Sequence, residues 1–348
     1  MKIKEIKAYY PKWENLAKGQ WQSHFWQIVV KIETDNGLIG YGYGGGGEPS
    51  VLIINKHFKE LLIGKNIDTI NDIQDIWNEL YFKSLPYGRH GLAIMAISGV
   101  DLCLWDLLGK QNKKPVYELI GPVKKRIINA YATGNEIKSY LLEGFKDFKI
   151  PHRWENNDSY ESLIKLCEEI RSDIGPDGKL MIDSYMSWNS DVCLKMDALL
   201  KKFNISWFED INTPDDLEEL SKLRNRIDTK IAGGEHDMTL KKFIDISKLN
   251  SLDIWQPDIT WCGGLTAGIK IIKLAEQMKT EVVLHRGGEV WGLHLIKSSC
   301  CENLAEIVKI NEKENNKLWN NIPKVTDGLI NPNDNPGFGV ELNEHLIK

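Results

Sequence analysis

The 348-residue chain has six cysteines and no CxxC pair; Cys300 and Cys301 are adjacent, and Cys103, Cys167, Cys193 and Cys262 sit in apolar runs. That usage points to reduced, buried thiols in a cytoplasmic protein. No stretch reaches the continuous apolar length of a membrane span, so no membrane partner is expected. The N-terminus, MKIKEIKAYY, alternates charge with aliphatics and lacks an apolar signal core, so it reads as a first strand. Positive charge is not in excess: 44 Lys and Arg stand against 49 Asp and Glu, a net charge of −5. This argues against nucleic acid as a partner, because phosphate binding needs a basic face. The GGGG run at residues 44–47 lacks the Lys-Ser/Thr of a phosphate loop.

What is present is an ordinary globular composition, 42% hydrophobic and 27% charged, on a chain long enough to bury a sizeable core. Residues 1–45 read as three strands, the last two joined through an Asp35-Asn36-Gly37 turn. Between the first two lies a polar loop, WENLAKGQWQSH, of the kind that carries binding groups. Helices follow at 50–62, 67–80 and 91–109; the last is apolar nearly all round and so is expected to be buried. From residue 126 onward, eight strands alternate with helices, the pattern of a TIM-type barrel. Beyond residue 311 the chain turns polar and is expected to pack back on the first unit. The expected division is an α+β capping domain at 1–122, a barrel at 123–321 and a returning segment at 322–348.

Five strand-like runs organise the barrel: LMIDSY, SWFEDI, AGGEHD, WQPDIT and VVLHRG. They bring Asp183, Glu209, Glu235, Asp258 and His285 to strand ends, with spacings of 26, 26, 23 and 27 residues, about one strand plus one helix. On parallel neighbouring strands these groups converge on one rim. Three carboxylates beside an Asp and a His suit a hard divalent cation next to a base. Lys149 falls at the end of the second barrel strand and Glu306 near the end of the last. Each residue also has a plainer reading: a strand-end carboxylate can cap the next helix. Lys149 can be a solvated or cap-pairing lysine, and His236 can simply pack beside Glu235. Lys146, His152, Arg153 and Arg286 are substrate contacts or surface residues. Trp13, Trp21 and Trp26 roof the pocket or, as the favoured expectation, fill the core of the first sheet. A metallohydrolase is disfavoured, since such sites use histidines for a softer ion.

The chain resembles the enolase superfamily, in its mandelate racemase-like branch, and within that branch the L-rhamnonate dehydratases. The resemblance runs from about residue 38 to the end. It rests on GLAIMAISGVDLCLWDLLGK, KPVYELIG, YATG, KLMIDSYMSW, WFEDI, GGEHD, QPDITWCGGLT, VVLH and NPGFGVELN. It implies an α/β fold, a modified (β/α)7β TIM-type barrel with an N-terminal α+β capping domain. It also implies one Mg²⁺ per subunit held by Asp183, Glu209 and Glu235, with His285 as base and Asp258 as its dyad partner. His236 and Glu306 match polar positions that line the site. The implied activity is dehydration of an aldonate to a 2-keto-3-deoxy sugar acid, with L-rhamnonate favoured and D-gluconate, D-arabinonate, D-xylonate and L-fuconate open. A small sugar acid is the expected partner, and a homo-oligomer the expected assembly. A racemase or epimerase using Lys149 and His285 on opposite faces of C2 is the alternative, and a non-catalytic metal-binding barrel a remote one. The chain departs from its relatives in three places: a short loop after the first strand, Ile150-Pro151-His152-Arg153 after Lys149, and Arg286-Gly287-Gly288-Glu289 after His285.

Overall fold

The computed structural model describes residues 1–13, 21–155 and 159–347. Strands β1 (Ile3–Tyr9), β2 (Ile28–Thr34) and β3 (Ile39–Gly44) form an antiparallel sheet in that order. Against it lies the helix Leu92–Asn112. By length and composition this helix could cross a membrane, contrary to the expectation that no stretch approaches that limit. Its apolar positions are instead the core of the cap: 89% of its most apolar window is buried inside the protein. The preceding helix, Ile70–Ser84, starts on a capping box in which Thr69 and Asp72 satisfy each other's backbone donors, an arrangement that stabilises a helix start by about 1 kcal/mol.

The second unit comprises β4 (Ile128–Thr133), β5 (Asp147–Pro151), β6 (Leu180–Asp183), β7 (Ile205–Glu209), β8 (Lys230–Gly233), β9 (Ile254–Trp255), β10 (Glu281–Val282) and β11 (Leu304–Val308). A helix lies between each consecutive pair. All run parallel in the order β10-β9-β8-β7-β6-β5-β4-β11. The curl closes where β10 meets β11, through Glu302 N–H to Val282 O (2.8 Å) and Gly288 N–H to Glu306 O (2.9 Å). Seven crossover helices and eight strands make the expected (β/α)7β barrel.

Inside the barrel, Tyr131, Met181, Trp207, Ala232, Ile254, Val283 and Leu304 form one buried apolar cluster, each from a strand or its direct extension. Side chains alternate faces along a strand. The next inward position, two residues on, is Thr133, Asp183, Glu209, Gly234, Gln256, His285 and Glu306. An apolar plug thus lies beneath a polar layer at the C-terminal mouth, where barrels of this kind carry their chemistry. The strand reading placed Lys149 and Glu306 near strand ends; the strands run on to Pro151 and Val308, which sets both side chains inside the barrel.

The cap meets the barrel on the CGGLT segment. Trp105 Nε1 donates to Thr266 Oγ1 (3.0 Å), Thr266 N–H to Asp101 Oδ2 (2.9 Å), and Trp77 Nε1 to Gly263 O (2.7 Å). Gly264 has φ +79°, and a Cβ there would lie 2.3 Å from Asp101 Oδ2, so only glycine admits this approach. Near the C-terminus, Gly337 O accepts from Val116 N–H (2.9 Å), and Phe338 N–H bonds Asp106 Oδ1 (3.0 Å). Before it, the helix Lys309–Leu318 occupies a stretch that the polar composition had suggested would be turn-rich.

Candidate active site

Lys149 stands at the centre of the polar layer. It is 1% exposed and pairs with Glu209 and, at 2.7 Å, with Glu306 Oε1. Thr133 Oγ1 donates to the same Glu306 oxygen (2.5 Å), and the Arg286 N–H to Glu306 Oε2 (2.8 Å). The second oxygen of Glu209 accepts from Trp207 Nε1 (2.9 Å) and Gln256 Nε2 (2.7 Å). Burial favours a neutral Lys149, but Glu209 and Glu306 overcome it and hold the pKa well above its ordinary value. For Glu306 burial acts upward, yet Lys149 brings it down to about 2. Both carboxylates favour the charged form of the lysine.

Beside it is a crowd of carboxylates. Asp183 closes β6 and accepts from the Tyr185 N–H (3.0 Å). Burial, with Glu209 adding to it, pushes Asp183 up to about 8. Asp210, at φ +46°, is pushed well above its usual range by burial and then by Glu235 and Asp183. Among the described residues, Asp210, Glu235 and His236 place their ligand atoms within 4.8 Å of one another. His236 Nε2 is 3.4 Å from Glu235 Oε1 and 3.6 Å from Asp210 Oδ2. The trio Asp183, Glu209 and Glu235 is therefore divided: Glu235 stands with Asp210 and His236, while Glu209 faces Lys149. Four carboxylates with one lysine form an oxygen-rich, negatively charged donor set, and this fits a hard divalent cation.

His285 joins this crowd to a second group. Its Nδ1 lies 2.8 Å from Asp258 Oδ2, and its Nε2 lies 3.4 Å from Glu235 Oε2. A parallel backbone bridge between Asp258 and His285 extends the short strands β9 and β10 and fixes the pair. Burial acts to lower the His285 pKa; the Glu235 charge and the Asp258 hydrogen bond raise it to about 9. Asp258 is also held by Arg286, through Nε (2.8 Å) and NH2 (2.7 Å) to Oδ2, and by Thr260 N–H and Oγ1, each 2.7 Å from Oδ1. Burial would raise the Asp258 pKa, but Arg286 and His285 pull it far below the carboxylate range.

The roof is aromatic. Trp21, Trp26 and Trp261 meet edge to face, with ring centroids 5.5–6.4 Å apart. Trp261 lies 5.5 Å from the His285 ring, and His236 stacks on it at 6.3 Å. This corrects the expectation that Trp21 and Trp26 fill the core of the first sheet: Trp21 is half exposed, and both pack against barrel-derived Trp261. Trp13 is partly buried and donates to Gln27 O (3.3 Å). The glycine run serves this contact, because a Cβ on Gly45 would lie 2.4 Å from the Trp261 ring. Loop positions 14–20 and 156–158 lie outside the described residues.

Of the candidate contacts, Lys146 and Arg153 are exposed, His152 is half-buried near Trp188, and Arg286 is buried. Sequence reasoning missed Thr133, Trp207, Asp210, Gln256 and Thr260. Counting two residues on from the apolar plug would have found Thr133 and Gln256. Nothing local marks Asp210, which follows Glu209 and would face away on a regular strand.

Comparison with known proteins agrees with this architecture. The enolase C-terminal domain-like family matches residues 132–346, and the mandelate racemase / muconate lactonizing enzyme N-terminal domain matches residues 13–121. An L-rhamnonate dehydratase of Saccharopolyspora erythraea is 31% identical over 330 residues, covering 92% of this chain and 84% of its own. The crystal structure of the 3,6-anhydro-D-galactonate cycloisomerase from Zobellia galactanivorans superposes with a TM-score of 0.89 at 30% identity over 100% of both chains. That of rhamnonate dehydratase from Gibberella zeae complexed with Mg has a TM-score of 0.89 at 28% identity, over 99% of this chain and 95% of its own. The chain belongs to the mandelate racemase / muconate lactonizing enzyme family of the enolase superfamily, and it is an enzyme whose relatives include the L-rhamnonate dehydratases, which are hydro-lyases.

Proposed function

We propose that this enzyme is a Mg²⁺-dependent acid sugar dehydratase that removes the C2 proton of an aldonate and eliminates the 3-OH to give a 2-keto-3-deoxy sugar acid. The observation that carries this reading is His285, bound at Nδ1 to Asp258 and presenting Nε2 to the carboxylate crowd. The dehydratase relatives, and the one complexed with Mg, support it. Asp183, Glu209 and Glu235 would hold the ion, with Asp210 and His236 at its side. When bound, Mg²⁺ offsets the second negative charge that builds on a substrate carboxylate as C2 loses its proton.

The chain's own part is proton management. With a cation on the carboxylates offsetting the Glu235 charge that raises its pKa, His285 would be neutral and accept the C2 proton at Nε2, while Asp258 keeps the other nitrogen protonated and the ring oriented. The C3–O bond then breaks. The protonated imidazole returns its proton to the departing hydroxyl, which leaves as water. The enol takes a proton at C3 and becomes the ketone. Lys149 holds Glu209 and Glu306 in place, and the tryptophan roof excludes bulk water. L-rhamnonate is the favoured substrate on the strength of the relatives. A panel of L-rhamnonate, D-gluconate, D-arabinonate, D-xylonate and L-fuconate, assayed with Mg²⁺ for semicarbazide-trapped ketone, tests this; no ketone from any of them defeats it.

The aromatic roof favours a second reading. Trp21, Trp26 and Trp261 make the roof largely of apolar ring surface, which suits a cyclic sugar acid. The full-length match to the 3,6-anhydro-D-galactonate cycloisomerase points the same way. There the leaving oxygen would remain tethered, so the product has the mass of the substrate, whereas dehydration removes one water. The racemase alternative needs Lys149 as a second base, and its two carboxylate partners argue against that.

A further inference from the structure

Arg286 follows the proposed base directly, and its surroundings are unlike those of a surface arginine. Its backbone sits at φ +49°, with the N–H bound to Glu306. Nε and NH2 both donate to the Asp258 oxygen that also serves His285, and NH2 reaches Thr260 Oγ1 (2.5 Å). Its face lies over two tryptophans, Trp261 of the barrel at 4.7 Å and Trp26 of the cap at 5.4 Å. The cap is tied to the same place by Gln27, whose side chain is fully buried. Gln27 Nε2 donates to Thr260 Oγ1 (2.9 Å), and its Oε1 accepts from Trp261 Nε1 (2.8 Å). Cap and base pair therefore share one guanidinium, one hydroxyl and one indole.

We propose that Arg286 is a positioning residue that couples the seating of Trp26 and Gln27 over the pocket to the geometry of the His285–Asp258 pair. The proposal rests on His285 being the base. Asp258 can orient the imidazole only while its own oxygens are fixed; Arg286 holds the oxygen that serves His285, and Thr260, itself bound by Arg286, holds the other. The planar fork of an arginine fits both the carboxylate and the stacked rings; a lysine can keep the charge but not the fork or the stack. NH1, which makes no hydrogen bond among the described residues, lies 3.7 Å from Glu289 Oε1 and so leaves the other two nitrogens committed to Asp258 and Thr260. A dyad tied to the cap would draw a proton from carbon at full rate only when the roof is down.

The test uses Arg286→Lys, Trp26→Leu and the double variant, on full-length enzyme with the substrate that wild type turns over. Arg286→Lys should lower kcat by 10- to 100-fold with KM changed less than 3-fold. Trp26→Leu, at a partly buried cap position, should lower kcat in the same sense. The double variant should be no slower than Arg286→Lys alone. Wild-type kcat in Arg286→Lys, or multiplying effects in the double variant, overturns the coupling. A substrate-free arm separates this from failure of the proposed reaction. The rate at which diethyl pyrocarbonate modifies His285, read by mass spectrometry against exposed His345, should rise at least 5-fold in either single variant. An unchanged rate overturns the proposal even if no aldonate is ever turned over.

Discussion

Two acidic groups face each other across His285, and they are built in opposite ways. On one side Asp258 is saturated: one oxygen takes His285 and Arg286, the other takes both donors of Thr260. On the other side Asp183, Glu209, Asp210 and Glu235 crowd together with Lys149 as their one buried lysine, and burial with mutual repulsion pushes Asp183 and Asp210 upward. The Asp258 half is satisfied by groups of the chain itself, whereas the carboxylate half carries an excess of buried negative charge. Preorganised polar groups suit a residue that must not move during proton transfer. Uncompensated buried charge makes a site that binds cations strongly and is unstable without them.

The largest effect expected is on the saturated side. His285→Asn should abolish deuterium exchange at C2 in D₂O and lower turnover by about 10³-fold or more, within the upper range for loss of an acid–base group. Persisting exchange would remove His285 from the role of base. On the crowded side, Asp183→Asn should lower turnover by roughly 10²–10³-fold, the scale set by loss of a key charge-stabilising group. Because it also removes one charge from the crowd above pH 8, where Asp183 is ionised, its melting midpoint in chelator at that pH should rise, by about 1–2 °C if the relief is ~1 kcal/mol in a chain of this size. A fall in that midpoint would show that the crowd is balanced as it stands.

Lys149→Met should strand Glu209 and Glu306 and lower stability to urea by about 3–5 kcal/mol, the range for breaking a buried ion pair. A loss below ~1 kcal/mol would make the pair equivalent to a surface one. The smallest effect lies away from both groups. His294 accepts the Tyr117 N–H at Nδ1 (3.1 Å) and lies 3.3 Å through Nε2 from Phe338 O, and burial pushes its pKa down to about 3. It stays neutral in the folded chain but takes up a proton near pH 6.5 once unfolded. Its contribution is therefore full above that pH and is lost as pH falls toward 3, at up to about 1.4 kcal/mol per pH unit. Relative to His294→Gln, wild type should lose urea resistance faster between pH 6.5 and 4; parallel curves would show that His294 charges in the fold.

The barrel was legible because strand and helix periods recur at nearly constant spacing, and the five strand ends fell on the mouth. The long apolar helix was legible as buried for the same reason, since no polar face interrupts it. Less legible were groups whose role depends on a distant neighbour. Trp26 and Trp21 looked like core residues of the first sheet, because aromatic runs beside strands usually are; Trp261, more than 230 residues further on, draws them over the pocket instead. Lys149 could be placed on its strand, but not predicted to lie between two carboxylates that arrive from β7 and β11.

By itself, the sequence determined which residues could face the barrel mouth, because alternation along a strand is a local property of the backbone and fixes the inward set from Thr133 to Glu306. Only the tertiary structure decided what each of them meets. Glu209 turns to Lys149 rather than joining Glu235, Asp210 comes in where a regular strand would turn it out, and Arg286 is buried between two tryptophans of different units. Those outcomes depend on through-space electrostatics and stacking among strands brought together by closure of the barrel, and no window along the chain contains both partners.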